Sequence, residues 1–235
     1  MLPLLLDIQP LWGIREPVSA LSHLAGALLA VVATVAVTRR AQQRGLGRWG
    51  VRRHGAYGLT LVLVFGASTA FHFPTWTPEE LVLLKKLDHV AIFLTIAGTG
   101  TAIYGAVRRR WTTYLTVGLW VLTVAGGAVK MLVWPMPLWL TAVIYLALGW
   151  TAASGLIALA GHMEPVHRCL LLGGTLAFTL GAVVFATEWP VLWHGVIGAH
   201  EVFHFFVLAG AAFFFSFVYR YCTRPDLFGL GAGGG

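Results

Sequence analysis

LDHVAIFLTIAGTGTAIYGAV occupies residues 87–107 and runs straight into Arg108, Arg109 and Arg110. After Asp88 it carries no formal charge, over a length close to the ~20 residues that an α-helix needs to cross a ~30 Å hydrocarbon core. An amphipathic soluble helix would show a polar face at a 3.6-residue period; here only small residues and Thr interrupt the apolar run. Strict alternation, the mark of a barrel strand, is also missing. Lipid supplies no partners for backbone N–H and C=O groups, so the stretch predicts a membrane-spanning helix closed by its arginines.

The same pattern recurs at 18–38, 55–73, 112–133, 138–160, 169–187 and 195–219, which predicts an all-α integral membrane protein with a seven-transmembrane helix bundle. Composition agrees. The 235 residues are 58% hydrophobic and 11% charged, whereas soluble domains run near ~45–50% and ~25%. That ratio excludes a soluble enzyme, a secreted disulfide scaffold and a disordered chain. Tryptophans 76, 111, 134, 139, 189 and 193 stand near the span ends, where an indole suits the interface. Gly98, Gly100, Gly126, Gly127, Gly173 and Gly174 lie inside spans and are expected to permit close helix contacts. No internal repeat or long linker divides the chain, so residues 1–235 are expected to form one domain, with a short segment 1–17 ahead of it and a flexible Gly-rich tail at 225–235. Residues 1–13 place no Lys or Arg ahead of Leu4-Leu5-Leu6, so a cleavable signal peptide is not expected.

The net charge of +7 does not point to nucleic acid. Its basic residues lie between spans rather than along a solvated face, where a phosphate-tracking protein would carry them. Arg39, Arg40, Arg44, Arg48, Arg52, Arg53, Arg108, Arg109, Arg110, Arg168, Arg220 and Arg224 fall at one end of the bundle; Arg15, Lys85, Lys86 and Lys130 fall at the other. Positive residues stay inside, so the chain is expected in the cell (inner or plasma) membrane with its amino terminus outside and its carboxyl terminus cytoplasmic. Cys169 and Cys222 then lie near the cytoplasmic face, and a disulfide is not expected.

Ionisable residues inside spans are costly, and here they gather in one layer. With alternating span directions, His23, Ser68, His72, Asp88, His89, His200, Glu201 and His204 all fall at the outer end. His200-x-x-x-His204 sets two imidazoles on one helical face, a spacing at which both reach one metal ion. Ser68-x-x-x-His72 offers a third imidazole with a hydroxyl one turn deeper. His72, His200 and His204 are therefore the expected ligands of a zinc ion with one open position. Asp88 is placed to take a proton from water held by the metal, and Ser68 to hydrogen-bond that water or a substrate carbonyl. The plain alternative for Asp88 is an N-cap. His23 and His89 stand between outer-layer support and interface roles. Glu201 projects away from the two imidazoles beside it, towards a base or headgroups. His54, His162 and His167 are expected to be solvated at the cytoplasmic side, and His194 to be interfacial.

Three segments resemble the hemolysin III branch of the progestin and adipoQ receptor family: Ala67-Ser68-Thr69-Ala70-Phe71-His72, Lys86-Leu87-Asp88-His89-Val90-Ala91-Ile92-Phe93 and His200-Glu201-Val202-Phe203-His204-Phe205-Phe206-Val207-Leu208-Ala209-Gly210. The likeness covers roughly residues 15–222. It implies seven spans, a zinc ion on His72, His200 and His204, and Asp88 and Ser68 around bound water. The adiponectin receptors and alkaline ceramidases, related to it, imply lipid amide hydrolysis; the hemolysin name implies membrane lysis. Two positions depart from the pattern. Ser19, preceded by Glu16, stands where the family usually has Asn before the first-span His, and Gly98-Thr99-Gly100-Thr101-Ala102 lacks the Tyr and Pro often found there.

The function classes that remain are a zinc-dependent hydrolase of a lipid amide or ester, a receptor-like or structural zinc protein, and a lytic protein without turnover. Membrane lipids are the expected environment and candidate substrate. A pore would need a polar stripe through the full thickness, a metal transporter ligands near the midplane, and a dihaem protein histidines at both depths; the residues supply none of these.

Overall fold

The computed structural model describes residues 9–107, 109–161 and 163–225. The tail expected to be flexible lies outside these residues from 226 onward, as do Arg108, His162 and the Leu4-Leu5-Leu6 run. Among the described residues there are seven α-helices: α1 Pro17–Gln43, α2 Gly47–His72, α3 Pro78–Val107, α4 Arg110–Leu132, α5 Leu138–Ala160, α6 Pro165–Thr187 and α7 Ala199–Phe217, the last running into a π-helical turn at Val218–Cys222. All seven carry a segment long and apolar enough to span a membrane. No strand forms among the described residues beyond isolated bridges at Leu11↔Ile14 and Trp193↔Ile197.

Several helices outrun their apolar segments. α2 starts at Gly47 rather than 55, α3 at Pro78 rather than 87, and α6 at Pro165 rather than 169. A charged side chain ends a lipid-soluble segment, but a helix continues wherever its side chains reach water. The start of α3 shows how: Thr77 and Glu80 form a reciprocal cap, with Thr77 N–H donating to Glu80 Oε2 at 2.9 Å and Glu80 N–H donating to Thr77 Oγ1 at 3.3 Å. Asp88 is consequently no N-cap; it sits roughly three turns inside α3.

Each helix packs against its neighbour in sequence, and α7 returns against α1, so the neighbours form a closed cycle. α3 is the most enclosed member, with 61% of its spanning window buried against 22% for α4. Burial is inverted relative to a soluble protein. Leu28, Leu29 and Val32 on α1 and Val121 and Val124 on α4 are exposed, while Ser19, His23, His72, Asp88, Lys130 and Glu201 are buried. Hydrocarbon is an acceptable solvent for the first group and not for the second. Trp139, Trp189 and Trp193 are exposed at the helix ends, as the sequence implied.

Because lipid gives helices no hydrophobic reason to associate, close packing and interhelical hydrogen bonds hold them together. Thr95 Oγ1 on α3 donates to Thr60 O on α2 at 3.0 Å, Thr123 Oγ1 on α4 to Phe93 O on α3 at 3.2 Å, and Tyr145 Oη on α5 to His89 O on α3 at 3.0 Å. At the other end Arg53, on α2 rather than in a loop, donates to Gly105 O and to Cys222 O. His54 is fully buried there with Nδ1 2.7 Å from Gly50 O, and His167 is buried against Tyr221, so neither is the solvated residue expected from its place near a charged segment. Lys130, inside the span expected at 112–133, is likewise buried on α4.

Gly98 marks the tightest crossing: a Cβ there would stand 2.3 Å from Thr60 Oγ1. Gly98→Ala should therefore push α2 from α3 and cost about 1–3 kcal/mol, seen as a lower midpoint of thermal unfolding in detergent. Adding Thr60→Ala should recover much of the loss. A Gly98→Ala protein as stable as the native one would show that this crossing has slack.

Candidate metal centre

α2 ends in His72, and the first turns of α7 carry His200 and His204. The helix pair sets one donor atom from each residue within 4.8 Å of the others. His72 Nε2 and His200 Nε2 are 3.3 Å apart, and the ring centroids of His72 and His200 lie 4.8 Å and 4.6 Å from that of His204. Metal–nitrogen bonds of 2.0–2.1 Å in a tetrahedron place neighbouring nitrogens about 3.3–3.4 Å apart. The observed pair matches that edge, and the three-histidine group can hold a metal ion. It contains no fourth His, Cys, Asp or Glu among the described residues.

One residue that the spacing of the spans did not reveal organises this group. Glu16 precedes α1, and its Oε2 meets His72 Nδ1. A carboxylate only accepts, so Nδ1 carries the proton and Nε2, facing His200, keeps its lone pair. Arg15 donates to the other Glu16 oxygen and to Phe71 O. Backbone bonds from Arg15 N to Phe73 O (3.0 Å) and from Glu16 N to His72 O (3.2 Å) pin this approach segment to the end of α2. Burial lowers the pKa of the Arg15 guanidinium from its ordinary value, with the Glu16 charge opposing the shift. A carboxylate behind a histidine fixes its ring and raises its basicity as a ligand.

Glu201 has a parallel task. Its Oε1 accepts from Ser19 Oγ at 2.7 Å and its Oε2 from Gly198 N–H at 2.9 Å, which caps α7 and ties it to α1. It reaches neither a basic residue nor headgroups, because both oxygens are used inside the bundle, where the residue is only 2% exposed. Ser19 is thus the donor on α1 for this bond. His23, buried on α1, stacks on His204 with ring centroids 3.8 Å apart and 11° between planes.

Asp88 and Ser68 are both buried in the same layer. The Ser68 hydroxyl lies near the Asp88 carboxyl. His89 is buried but turns towards Trp134, Tyr145 and Phe185 and does not join the three-histidine group. His194 is exposed. A cavity of about 130 Å³ lies between α2, α3, α5, α6 and α7, with a lining that is almost wholly apolar. Phe185 and Phe203 belong to its wall and pack 6.2 Å and 6.0 Å from the His200 ring, so cavity and histidines share a border.

Removing the carboxylate behind His72 should weaken metal binding without abolishing it. Glu16→Ala is expected to lower zinc affinity about 10–100-fold, measured by competition with a chromophoric chelator. Native affinity in this variant would assign Glu16 to chain docking alone.

The family model described as "Haemolysin-III related" matches residues 12–215. The chain is 26% identical over 211 residues to "Hemolysin-3 homolog" of Bacillus subtilis (strain 168), covering 89% of this chain and 95% of the relative. It is 29% identical over 210 residues to "Hemolysin-3" of Bacillus cereus, covering 88% and 91%. Seven apolar helices enclosing a three-histidine group, matched over most of their length by that model, make this multi-pass membrane protein a member of the haemolysin-III related family.

Proposed function

We propose that this protein is a zinc-dependent hydrolase of a lipid amide or ester. The observation that carries the reading is the convergence of three imidazoles, with no fourth His, Cys, Asp or Glu in the group among the described residues, beside a buried carboxyl and an apolar cavity. A structural zinc site closes its coordination with four protein ligands, whereas a catalytic one keeps a position for water or substrate. Three neutral nitrogens suit zinc, which is indifferent to d-electron geometry and readily tetrahedral. Bound by His72, His200 and His204, zinc supplies a Lewis acid for a carbonyl and makes water acidic near neutral pH.

The chain's own residues do the rest. Glu16 and the stacked His23 hold two of the three imidazoles in position. The cavity takes an acyl chain entering from the bilayer, and its Phe185–Phe203 border sets the polar end of the lipid against the histidines. Asp88 accepts the proton of the attacking water and returns it to the leaving group. The Ser68 hydroxyl, beside Asp88, donates to the carbonyl oxygen as charge develops on it. Orientation follows the basic residues, twelve at the inner end and four at the outer, so the site opens to the outer leaflet. The names of the two relatives favour a second reading, membrane lysis without turnover.

Purified protein should contain about one zinc per chain, and His200→Ala with His204→Ala should remove most of it. Asp88→Asn should keep the metal and lose about 10²–10⁴-fold in turnover of a lipid amide or ester. A metal-replete variant that hydrolyses at the native rate would remove Asp88 from the mechanism, and one that loses its metal would favour the structural or lytic reading. A reporter fused after Phe228 should be active only in the cytoplasm; activity outside would invert the site.

A further inference from the structure

We infer that Lys85, Lys86 and Lys130, gathered round Trp134, form a binding site for a phosphate group at the same end of the bundle as the histidines. Lys85 and Lys86 lie in the first half of α3, Lys130 lies in the last turn of α4, and Trp134 lies between α4 and α5. The three ammonium nitrogens stand 5.9, 5.8 and 5.3 Å from the centroid of that one indole. Like charges brought this close repel, and among the described residues none of the three is in an ion pair with a carboxylate. Asp88 and Glu16 act on Lys85 from beyond ion-pair distance, and Glu16 is already engaged by Arg15 and His72.

Lys130 is the decisive member. It is 2% exposed, and its Nζ donates to the Thr141 hydroxyl at 2.8 Å, a neutral partner. A buried ammonium without a counter-anion is strongly disfavoured, and an indole face offsets only part of that penalty. Lys86 Nζ spends one donor on Met131 O at 2.8 Å, at the carbonyl end of α4. Each ammonium has three donors, so Lys86 and Lys130 keep donors to spare. A tetrahedral oxyanion offers oxygens to cations from three directions, which a planar carboxylate does not, and lysine serves phosphate well as a point charge. The site lies at the level of the interfacial tryptophans, where phosphate headgroups lie. His89 packs 6.1 Å from the same Trp134 ring, so a lipid held here by its phosphate has its ester or amide region close to the histidine layer. The inference concerns binding and stands whether or not the protein hydrolyses lipid.

The test uses the full chain in a neutral detergent, with thermal unfolding read against three probes: dihexanoyl phosphatidic acid, dihexanoylglycerol and inorganic phosphate. Phosphatidic acid should raise the unfolding midpoint in a saturable way and the uncharged lipid should not. Lys85→Gln and Lys130→Met should each weaken that binding about tenfold or more, Lys85→Arg should retain it, and zinc content should stay unchanged in all three. Competition by inorganic phosphate would assign a free anion as ligand; indifference to it, with phosphatidic acid still bound, would assign the lipid headgroup. Equal stabilisation by the uncharged lipid, or native affinity in Lys85→Gln, overturns the proposal. Lys85→Gln carries the test even where Lys130→Met fails to fold.

Discussion

Hydrocarbon cannot hydrogen-bond, and the rest of this molecule depends on that single fact. It lets Leu28, Leu29 and Val32 face outward and obliges Ser19, His72 and Glu201 to face inward. A polar side chain inside such a bundle must then find a partner on another helix. Ser19 finds Glu201, and Glu16, just ahead of α1, finds His72. These contacts join chain positions 182 and 56 residues apart, so the groups that build the histidine layer also close α7 against α1 and dock the approach to α1 on α2. Fold and site share their bonds, and a change at the site is felt in the packing.

Much of this was legible in the sequence because lipid solvation is decided residue by residue. Length and apolarity locate all seven helices, and the i, i+4 spacing of His200 and His204 places two imidazoles on one face without any tertiary knowledge. Helix ends were less legible. Charge ends a lipid-soluble segment but not a helix, so Asp88 resembles a first residue when only the apolar run is read. The Thr77–Glu80 cap upstream shows where α3 begins, and T-x-x-E ahead of the span was the local signal for it.

Glu16 was harder to read. It precedes the first span, next to Arg15, and in a linear reading it belongs to a short polar leader. Its partner is a matter of how that leader crosses the end of α2, a long-range backbone arrangement that no local pattern encodes. The available signal was Glu16-x-x-Ser19-x-x-Ser22-His23, polar residues approaching and entering a mostly apolar span. Polar groups that survive in such a place need partners at their own depth. That logic pointed to the layer as a whole and not to which member meets which.

The polar residues at the two ends of the bundle find different kinds of partner. At the end away from the histidine group Arg53 bridges α2, α3 and the π-helical turn through backbone carbonyls, and His54 turns one nitrogen to Gly50 O. These partners are backbone acceptors of the kind that satisfy a structural group. At the opposite end His72 Nε2 faces His200 Nε2 at 3.3 Å. With the His72 proton held on Nδ1 by Glu16, that contact brings a lone pair against a second imidazole, an arrangement that gains little unless a proton or a cation lies between them. His204 closes the triangle from one turn along α7. His54 meets one backbone carbonyl, whereas the three imidazoles turn on a common point where a metal ion can be held.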